Sequence, residues 1–392
     1  MTPAARLQAA IEVLDQILDG DAAEKALSGW SRRSRYAGSK DRAAVRDHVF
    51  TALRCRRSHA ALGGASTGRG LILGSLREAG IDPKSMFNGV GYGPVELSDE
   101  EGLTLRTPTS EAERLDIPDW LWAEFSASLG DDAEATATAL RHRAPVHLRV
   151  NSKRSTVDQA IEDLQEDGIV CQRHAAADTA LMVTEGARRI RNSEAYTSGV
   201  VELQDAASQA VVEALPLRDG MSVLDYCAGG GGKSLAMAAR ANLSLFAHDT
   251  APRRMQDLPI RADRAGVNIT LLEPQHLAGA GPFDLVLCDA PCSGSGSWRR
   301  SPEGKWLLDA VQLQELKETQ SQILDKAANL VATGGVLAYA TCSVIGSENA
   351  SQVRNFLERS SEWELSSEHS WLVQNGTDGF YCAVLTRKSV DC

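Results

Sequence analysis

No stretch of this 392-residue chain approaches 18 consecutive apolar residues, so nothing in it reads as a membrane-spanning helix. The N-terminus lacks the apolar core of a secretion signal, which makes the cytoplasm the expected location. Cysteine is sparse. The eight are Cys55, Cys171, Cys227, Cys288, Cys292, Cys342, Cys382 and Cys392, and no two form a CxxC pair. That excludes a disulfide framework and a zinc-ligand pattern, so no metal is expected. Free thiols in a reducing compartment keep cysteine chemistry open. Net positive charge is also lacking: the formal net charge is −11. Spread evenly, that charge would count against a nucleic-acid partner.

It is not spread evenly. From Glu96 to Glu134 twelve acidic residues stand against Arg106 and Arg114 alone, a net of −10. From Trp30 to Arg57 nine basic residues oppose only Asp41 and Asp47, a net of +7. Attraction for a phosphate backbone follows local basic patches rather than the global sum. Arg32, Arg33, Lys40 and Arg42 are therefore candidate RNA contacts, the alternative being an ordinary solvated helix face.

The length predicts more than one core. Residues 1–80 read as helical, with Leu7, Ile11, Leu14 and Leu18, then Val45, Val49, Ala52 and Leu53, at helical spacing. The glycine-rich stretch Gly63 to Gly70 interrupts that pattern before Leu71. Residues 81–144 read as an irregular acidic connector with short helices, and 145–200 as a small α+β module. From 201 to 392 the rhythm is strand, loop, helix. Apolar strands are expected at 221–226, 243–249, 269–273, 283–289 and 335–342, with an added antiparallel strand near the end. Alternation of this kind predicts a parallel, doubly wound α/β sheet.

The first of these strands runs into Cys227-Ala228-Gly229-Gly230-Gly231-Gly232-Lys233-Ser234. A glycine-rich turn there lets a ligand lie against bare backbone at a helix N-terminus, whether a dinucleotide, a phosphate or S-adenosylmethionine. ATP is discounted, because the first glycine of a Walker loop would fall at Cys227. The second strand ends at Asp249, positioned for ribose hydroxyls or, alternatively, for capping the next helix.

The fourth strand delivers Asp289 and Cys292, the fifth Cys342. If these strands are neighbours, both thiols converge beside Asp289. Carbon 5 of cytosine is a poor nucleophile. A thiolate adding to carbon 6 turns the ring into an enamine, and an acid at the nitrogen 3 edge stabilises the charge that develops. Two cysteines and an aspartate match that chemistry, whereas Cys288, between apolar strand residues, reads as core.

Dense blocks in a fixed order carry a family resemblance. They are Gly199 with Gln204 to Gln209, VLDYCAGGGGKS, DLVLCDAPCSGSGSWRRSPEGKW, GGVLAYATCSV, Glu348-Asn349 and Asp378-Gly379-Phe380. Over about 145–390 the chain resembles the bacterial Sun/Fmu (RsmB-like) group of RNA cytosine-5 methyltransferases. That resemblance implies a Rossmann-like methyltransferase domain using S-adenosylmethionine, with Cys342 as nucleophile and Cys292 assisting release. Asp289 would touch base and cofactor, with Lys233 beside them. Cys227 to Lys233 would cradle the methionine moiety and Asp249 would hold ribose. Arg299 and Arg300 would contact RNA phosphate. The family's Ala-Pro before Gly-Gly-Lys is replaced here by Gly229-Gly230, which predicts a more flexible loop. Its aspartate after the third strand is replaced by Glu273. The N-terminal helices resemble the NusB-type RNA-binding domain, implying small-subunit ribosomal RNA as partner, and Leu148 to Asn151 resembles the family's RNA-positioning subdomain. A monomer is expected. The alternatives are a DNA cytosine-5 methyltransferase, with Cys292 attacking, and a non-catalytic ribosome-assembly protein.

Overall fold

The computed structural model describes residues 1–103 and 106–388, and Cys392 lies outside them. The chain forms two compact units. One comprises Met1–Arg143 with Trp298–Asp309; the other comprises Ala144–Ser297 with the residues from 310 onward.

The first unit is helical. Helices Pro3–Leu18, Ala23–Arg33, Ser39–Arg54, Arg56–Gly63 and Gly68–Glu78 enclose Val13, Leu14, Val45, Val49, Leu71 and Leu73. Thr2 and Thr67 start the first and the last of these by accepting backbone N–H bonds in their first turns. The glycine stretch is a sharp connection between two touching helices. Gly64 takes the left-handed conformation (φ 82°). A Cβ on Gly74 would lie 2.0 Å from the His59 carbonyl oxygen. The acidic stretch carries two short helices, Asp99–Leu103 and Glu111–Arg114, and helices Asp119–Leu129 and Ala133–Leu140 follow.

Trp298–Asp309, expected within the 201–392 domain, packs instead in the helical unit. The reason lies in helix ends. The carbonyls of Leu53 and Arg54 end a helix without intrahelical partners. Trp306 Nε1 donates to the first (2.6 Å) and Lys305 Nζ to the second (3.1 Å). Glu303 accepts from the Ala23 N–H at the start of another helix (2.8 Å).

The second unit holds two sheets. Strands β1 (Val146–Val150), β2 (Val170–Arg173), β3 (Ala180–Glu185) and β4 (Val201–Leu203) form an antiparallel sheet in the order β2-β3-β1-β4. Helix Val157–Glu166 contributes Ala160 and Leu164 to its core with Leu148, Val150 and Leu181.

The larger sheet comprises β5 (Ser222–Asp225), β6 (Ser244–Ala247), β7 (Thr270–Leu271), β8 (Phe283–Asp289), β9 (Val331–Thr341), β10 (Trp363–Trp371) and β11 (Phe380–Arg387). Their order is β10-β11-β9-β8-β5-β6-β7. Pairs from β5 to β9 run parallel, and β11 lies antiparallel between β9 and β10. This is the Rossmann-like arrangement. The strand order reverses at β5, which has β6 on one side and β8 on the other, and ligands of open α/β sheets bind at the carboxyl ends of strands there. Among the described residues no helix is long and apolar enough to cross a membrane.

Candidate active site

Strand β5 ends in the buried carboxylate Asp225, and the glycine loop follows. Gly229 (φ 52°) and Gly231 (φ 77°) take the left-handed backbone that disfavours side chains. At Gly231 space forbids one as well, since a Cβ would sit 2.2 Å from a Leu258 methyl. Gly232 then opens helix Gly232–Arg240.

The Gly229-Gly230 replacement proves to be braced. Arg261 donates to the Gly230 carbonyl, and Arg149 Nη1, from β1, donates to the Gly232 carbonyl at 2.8 Å. Guanidinium nitrogens of Arg254 and Arg261 lie 3.2 Å from where Cβ atoms on Gly229 and Gly230 would be. The bare glycines thus admit two arginines that larger residues would crowd. Arg149 is itself buried, and that burial lowers its pKa to about 10. Asn151 donates to the Ala265 carbonyl at a helix end (2.9 Å). Both residues therefore tie the small sheet to the large one.

Asp249 is buried beside the loop. Its Oδ2 accepts from Gly229 N–H (3.0 Å) and pairs with Arg254 (3.1 Å), and its Oδ1 accepts from Ala251 N–H (2.9 Å). The residue is both loop anchor and turn cap. A carboxylate offers about four acceptor positions, so room for a hydroxyl remains. Glu273 is exposed, two residues past the short β7, and bonds to Gln275. Cys227 and Ala228 are half-buried, and burial pushes the Cys227 thiol upward. Asp225 was not singled out from sequence. Its Oδ2 accepts from Ser234 Oγ (2.6 Å), while its buried Oδ1 has no partner, and burial pushes its pKa up to about 7.

Strands β8 and β9 are neighbours, with Asp289 opposite Ala340. They bring Cys292 Sγ to 3.4 Å from Cys342 Sγ. Lys233 Nζ donates to Asp289 Oδ2 at 2.7 Å and stands 4.8 Å from the centre of the Phe380 ring. Burial works against the charge on Lys233, but Asp289 outweighs it and the pKa is raised. The two thiols differ. Cys342 is lowered, first by the hydrogen bond from Cys292, with Lys233 and Ser297 adding to the effect against burial and Asp289. Cys292 is raised well above the ordinary range by that same hydrogen bond and by burial. Of the two, Cys342 is the thiol whose ionisation its surroundings favour. Cys288 is fully buried in the core.

The candidate RNA contacts divide. Arg32, Arg33, Lys40 and Arg42 are exposed, and Arg32 and Arg42 line a cavity of about 580 Å³ in the helical unit. Arg300 is exposed, but Arg299 is buried, its carbonyl accepting from Arg54 Nε at 2.7 Å. As placed, only Arg300 of that pair presents its side chain to solvent. Cys55, His59 and Glu78 gather with donor atoms within 4.8 Å, a grouping the sequence spacing did not suggest. Arg141 pairs with Glu78 there, placing a cation where a metal would need an open ligand.

The family model described as 16S rRNA methyltransferase RsmB/F matches residues 212–386, and the ferredoxin-like domain of RsmF/B-like methyltransferases matches 117–188. The ribosomal RNA small subunit methyltransferase B of Citrobacter koseri is 33% identical over 303 residues, covering 74% of this chain and 70% of the relative. The chain belongs to the RsmB/F methyltransferase family. The Vibrio cholerae protein of the same name is 32% identical over 303 residues, with the same two coverages. Among solved structures, PH0851 superposes with a TM-score of 0.76 at 22% identity, covering 98% of this chain and 99% of its own. A methyltransferase homolog protein from Pyrococcus horikoshii gives 0.61 at 23% identity, covering 70% and 97%. Those two likenesses show the fold alone. The RsmB/F methyltransferase match spans the glycine loop, both strand-end cysteines and Glu348.

Proposed function

We propose that the protein transfers a methyl group from S-adenosylmethionine to carbon 5 of a cytosine in RNA, with small-subunit ribosomal RNA as substrate. The observation that carries this reading is the pair of unequal thiols beside the Lys233–Asp289 ion pair at the ends of β8 and β9. The names of the relatives supply the RNA.

The residues around the glycine loop fit the cofactor. Asp225 Oδ1 is a buried acceptor without a partner, and Asp249 retains acceptor capacity. Gly229 to Lys233 would hold the methionine moiety and Asp249 the ribose. S-adenosylmethionine, when bound, supplies an electrophilic methyl group. Cys342 Sγ, as thiolate, forms a bond to carbon 6 of the cytosine, and the carbon 5–carbon 6 π pair becomes available at carbon 5. The Lys233–Asp289 pair, facing the nitrogen 3 edge, stabilises the charge that develops on the ring. Carbon 5 would take that methyl group as the sulfonium's methyl carbon–sulfur bond breaks and S-adenosylhomocysteine leaves. Cys292, once its thiol has released its own proton to solvent, would accept the carbon 5 proton. The pair left by that proton restores the double bond and expels Cys342 as thiolate.

The helical unit, with its Arg32–Arg42 cluster, and the β1–β4 module would bind and position RNA. A monomer acting in the cytoplasm is the corresponding setting. Incubation with tritiated S-adenosylmethionine and bulk ribosomal RNA, followed by nucleoside analysis, tests the reading. Label in 5-methylcytidine is expected. Label only in another nucleoside, or none with folded protein, contradicts it.

A further inference from the structure

Each of the two site cysteines is followed by a serine, and both serines end on one carboxylate. Glu348, in the turn Gly346–Glu348 beyond β9, is fully buried. Its Oε1 accepts from the Ser293 backbone N–H (2.8 Å) and from Gln320 Nε2 (3.0 Å). Its Oε2 accepts from Ser293 Oγ and Ser343 Oγ, both at 2.5 Å. Four donors and no acceptor suit an ionised carboxylate, and hydrogen bonds to a charged group are the strong ones. Gln320, on helix Ala310–Ala328, also donates to the Pro291 carbonyl (2.9 Å), and Tyr339 donates to the Glu348 carbonyl (2.7 Å).

A buried carboxylate is costly unless hydrogen bonds satisfy it, and here neutral donors do so, three of the four from the serines that adjoin the two sulfurs. The placement has two effects. Geometrically, Ser293 and Ser343 are held to one point, so the loop after β8 and the turn after β9 keep a fixed relation and the sulfurs stay 3.4 Å apart. Electrostatically, a negative charge lies behind Cys292. Cys292 is pushed up by its bond to Cys342, by burial, and further by Glu348. The other titratable groups facing the pair are Lys233 and Asp289 on one side and Tyr339 on the other.

We propose that Glu348 is a positioning residue: tied to Ser293 and Ser343, its charge behind Cys292 disfavours a thiolate there and so leaves Cys342 as the attacking sulfur. This role rests on the assignment of Cys342 as nucleophile made above. Neither oxygen of Glu348 touches a sulfur; it acts through Ser293, Ser343 and its own charge.

The test needs neither RNA nor cofactor. The full-length protein is treated with iodoacetamide across pH 6 to 10, and alkylation of Cys342 and Cys292 is followed separately by mass spectrometry. The wild type should alkylate at Cys342 first. Glu348→Gln keeps the shape and removes the charge. Its preference for Cys342 at neutral pH should fall by about tenfold, the equivalent of one pKa unit. Ser343→Ala keeps the charge and should retain most of the preference. Should Glu348→Gln fail to fold by circular dichroism, Glu348→Asp decides: its charge is retained but withdrawn by one methylene, so an intermediate preference is expected. A folded Glu348→Gln, or in its place Glu348→Asp, that keeps the full wild-type preference overturns the role of Glu348 alone. Preferential alkylation of Cys292 in the wild type overturns the nucleophile assignment, and the two failures are thereby distinguished.

Discussion

At the scale of single residues, the proposed chemistry rests on an inequality between like groups. Two thiols 3.4 Å apart cannot both ionise without repulsion, and the surrounding charges decide which one does. Lys233 favours the Cys342 thiolate. Because the reactive form is the deprotonated one, methyl transfer should rise as pH passes upward through the Cys342 pKa, and a lowered pKa moves that rise toward neutrality. Replacing Lys233 with Gln removes the cation. The rise in single-turnover rate should then move to higher pH by about one unit. An unmoved profile would show that Lys233 does not tune the thiol. Asp249→Ala should weaken S-adenosylmethionine binding by about 1–3 kcal/mol, the cost of losing a charged hydrogen-bond partner. Titration calorimetry showing equal affinity would leave Asp249 only its turn-capping bonds to Gly229 and Ala251. That Cys292, Cys342, Asp289 and Lys233 come together is legible because each stands at a strand end or in the glycine loop. Ser293, Ser343 and Glu348 stand in the motif blocks, but their contact with one another does not show there. Serine after cysteine has no meaning until the fold brings a carboxylate from 55 residues away. Arg299 was misjudged for a related reason: a basic residue in a motif looks exposed until its neighbours bury it.

At the scale of elements, continuous apolar strands announce themselves and polar ones do not. Strands β5, β6, β8 and β9 fall where their hydrophobic runs predict, and β11 forms the added antiparallel strand. The edge strand β10, WELSSEHSW, went unread because only Trp363 is buried and most of its other residues are exposed. Its place is set by backbone pairing with β11 rather than by a hydrophobic pattern. The glycine stretch was legible as a break but not as a close approach of two helices. Gly74 has ordinary helical geometry, and its requirement for hydrogen appears only where the His59 carbonyl approaches. Gly74→Ala should therefore destabilise the protein by about 1–3 kcal/mol through overpacking, where an exposed helical glycine would tolerate alanine. Urea unfolding checks this, and an unchanged or higher midpoint would mean that the two helices separate freely.

At the scale of the whole molecule, a chain of net charge −11 has a net of +7 between Trp30 and Arg57 and a net of −10 between Glu96 and Glu134, both in the helical unit. Part of that basic cluster is already neutralised, since Arg46 pairs with Glu24 and Arg57 with Asp119. Arg32, Arg33, Lys40 and Arg42 remain exposed. Replacing these four with Gln should weaken RNA binding and reduce the slope of log affinity against log salt, by about 0.7–0.9 for each phosphate no longer neutralised. Filter binding at several salt concentrations measures it, and an identical slope would make the cluster a solvated face. The two-unit division was only partly legible, because composition cannot show a chain leaving one unit for twelve residues and returning. The central claim, that Cys342 attacks the base and Cys292 helps to release it, is tested most directly by a denaturing gel. Cys292→Ala, Cys342→Ser and the double variant are each incubated with ribosomal RNA and S-adenosylmethionine. Cys292→Ala should accumulate a slowly migrating, RNase-sensitive protein–RNA band, absent from the other two. A band from Cys342→Ser with none from Cys292→Ala would contradict the account and make Cys292 the nucleophile.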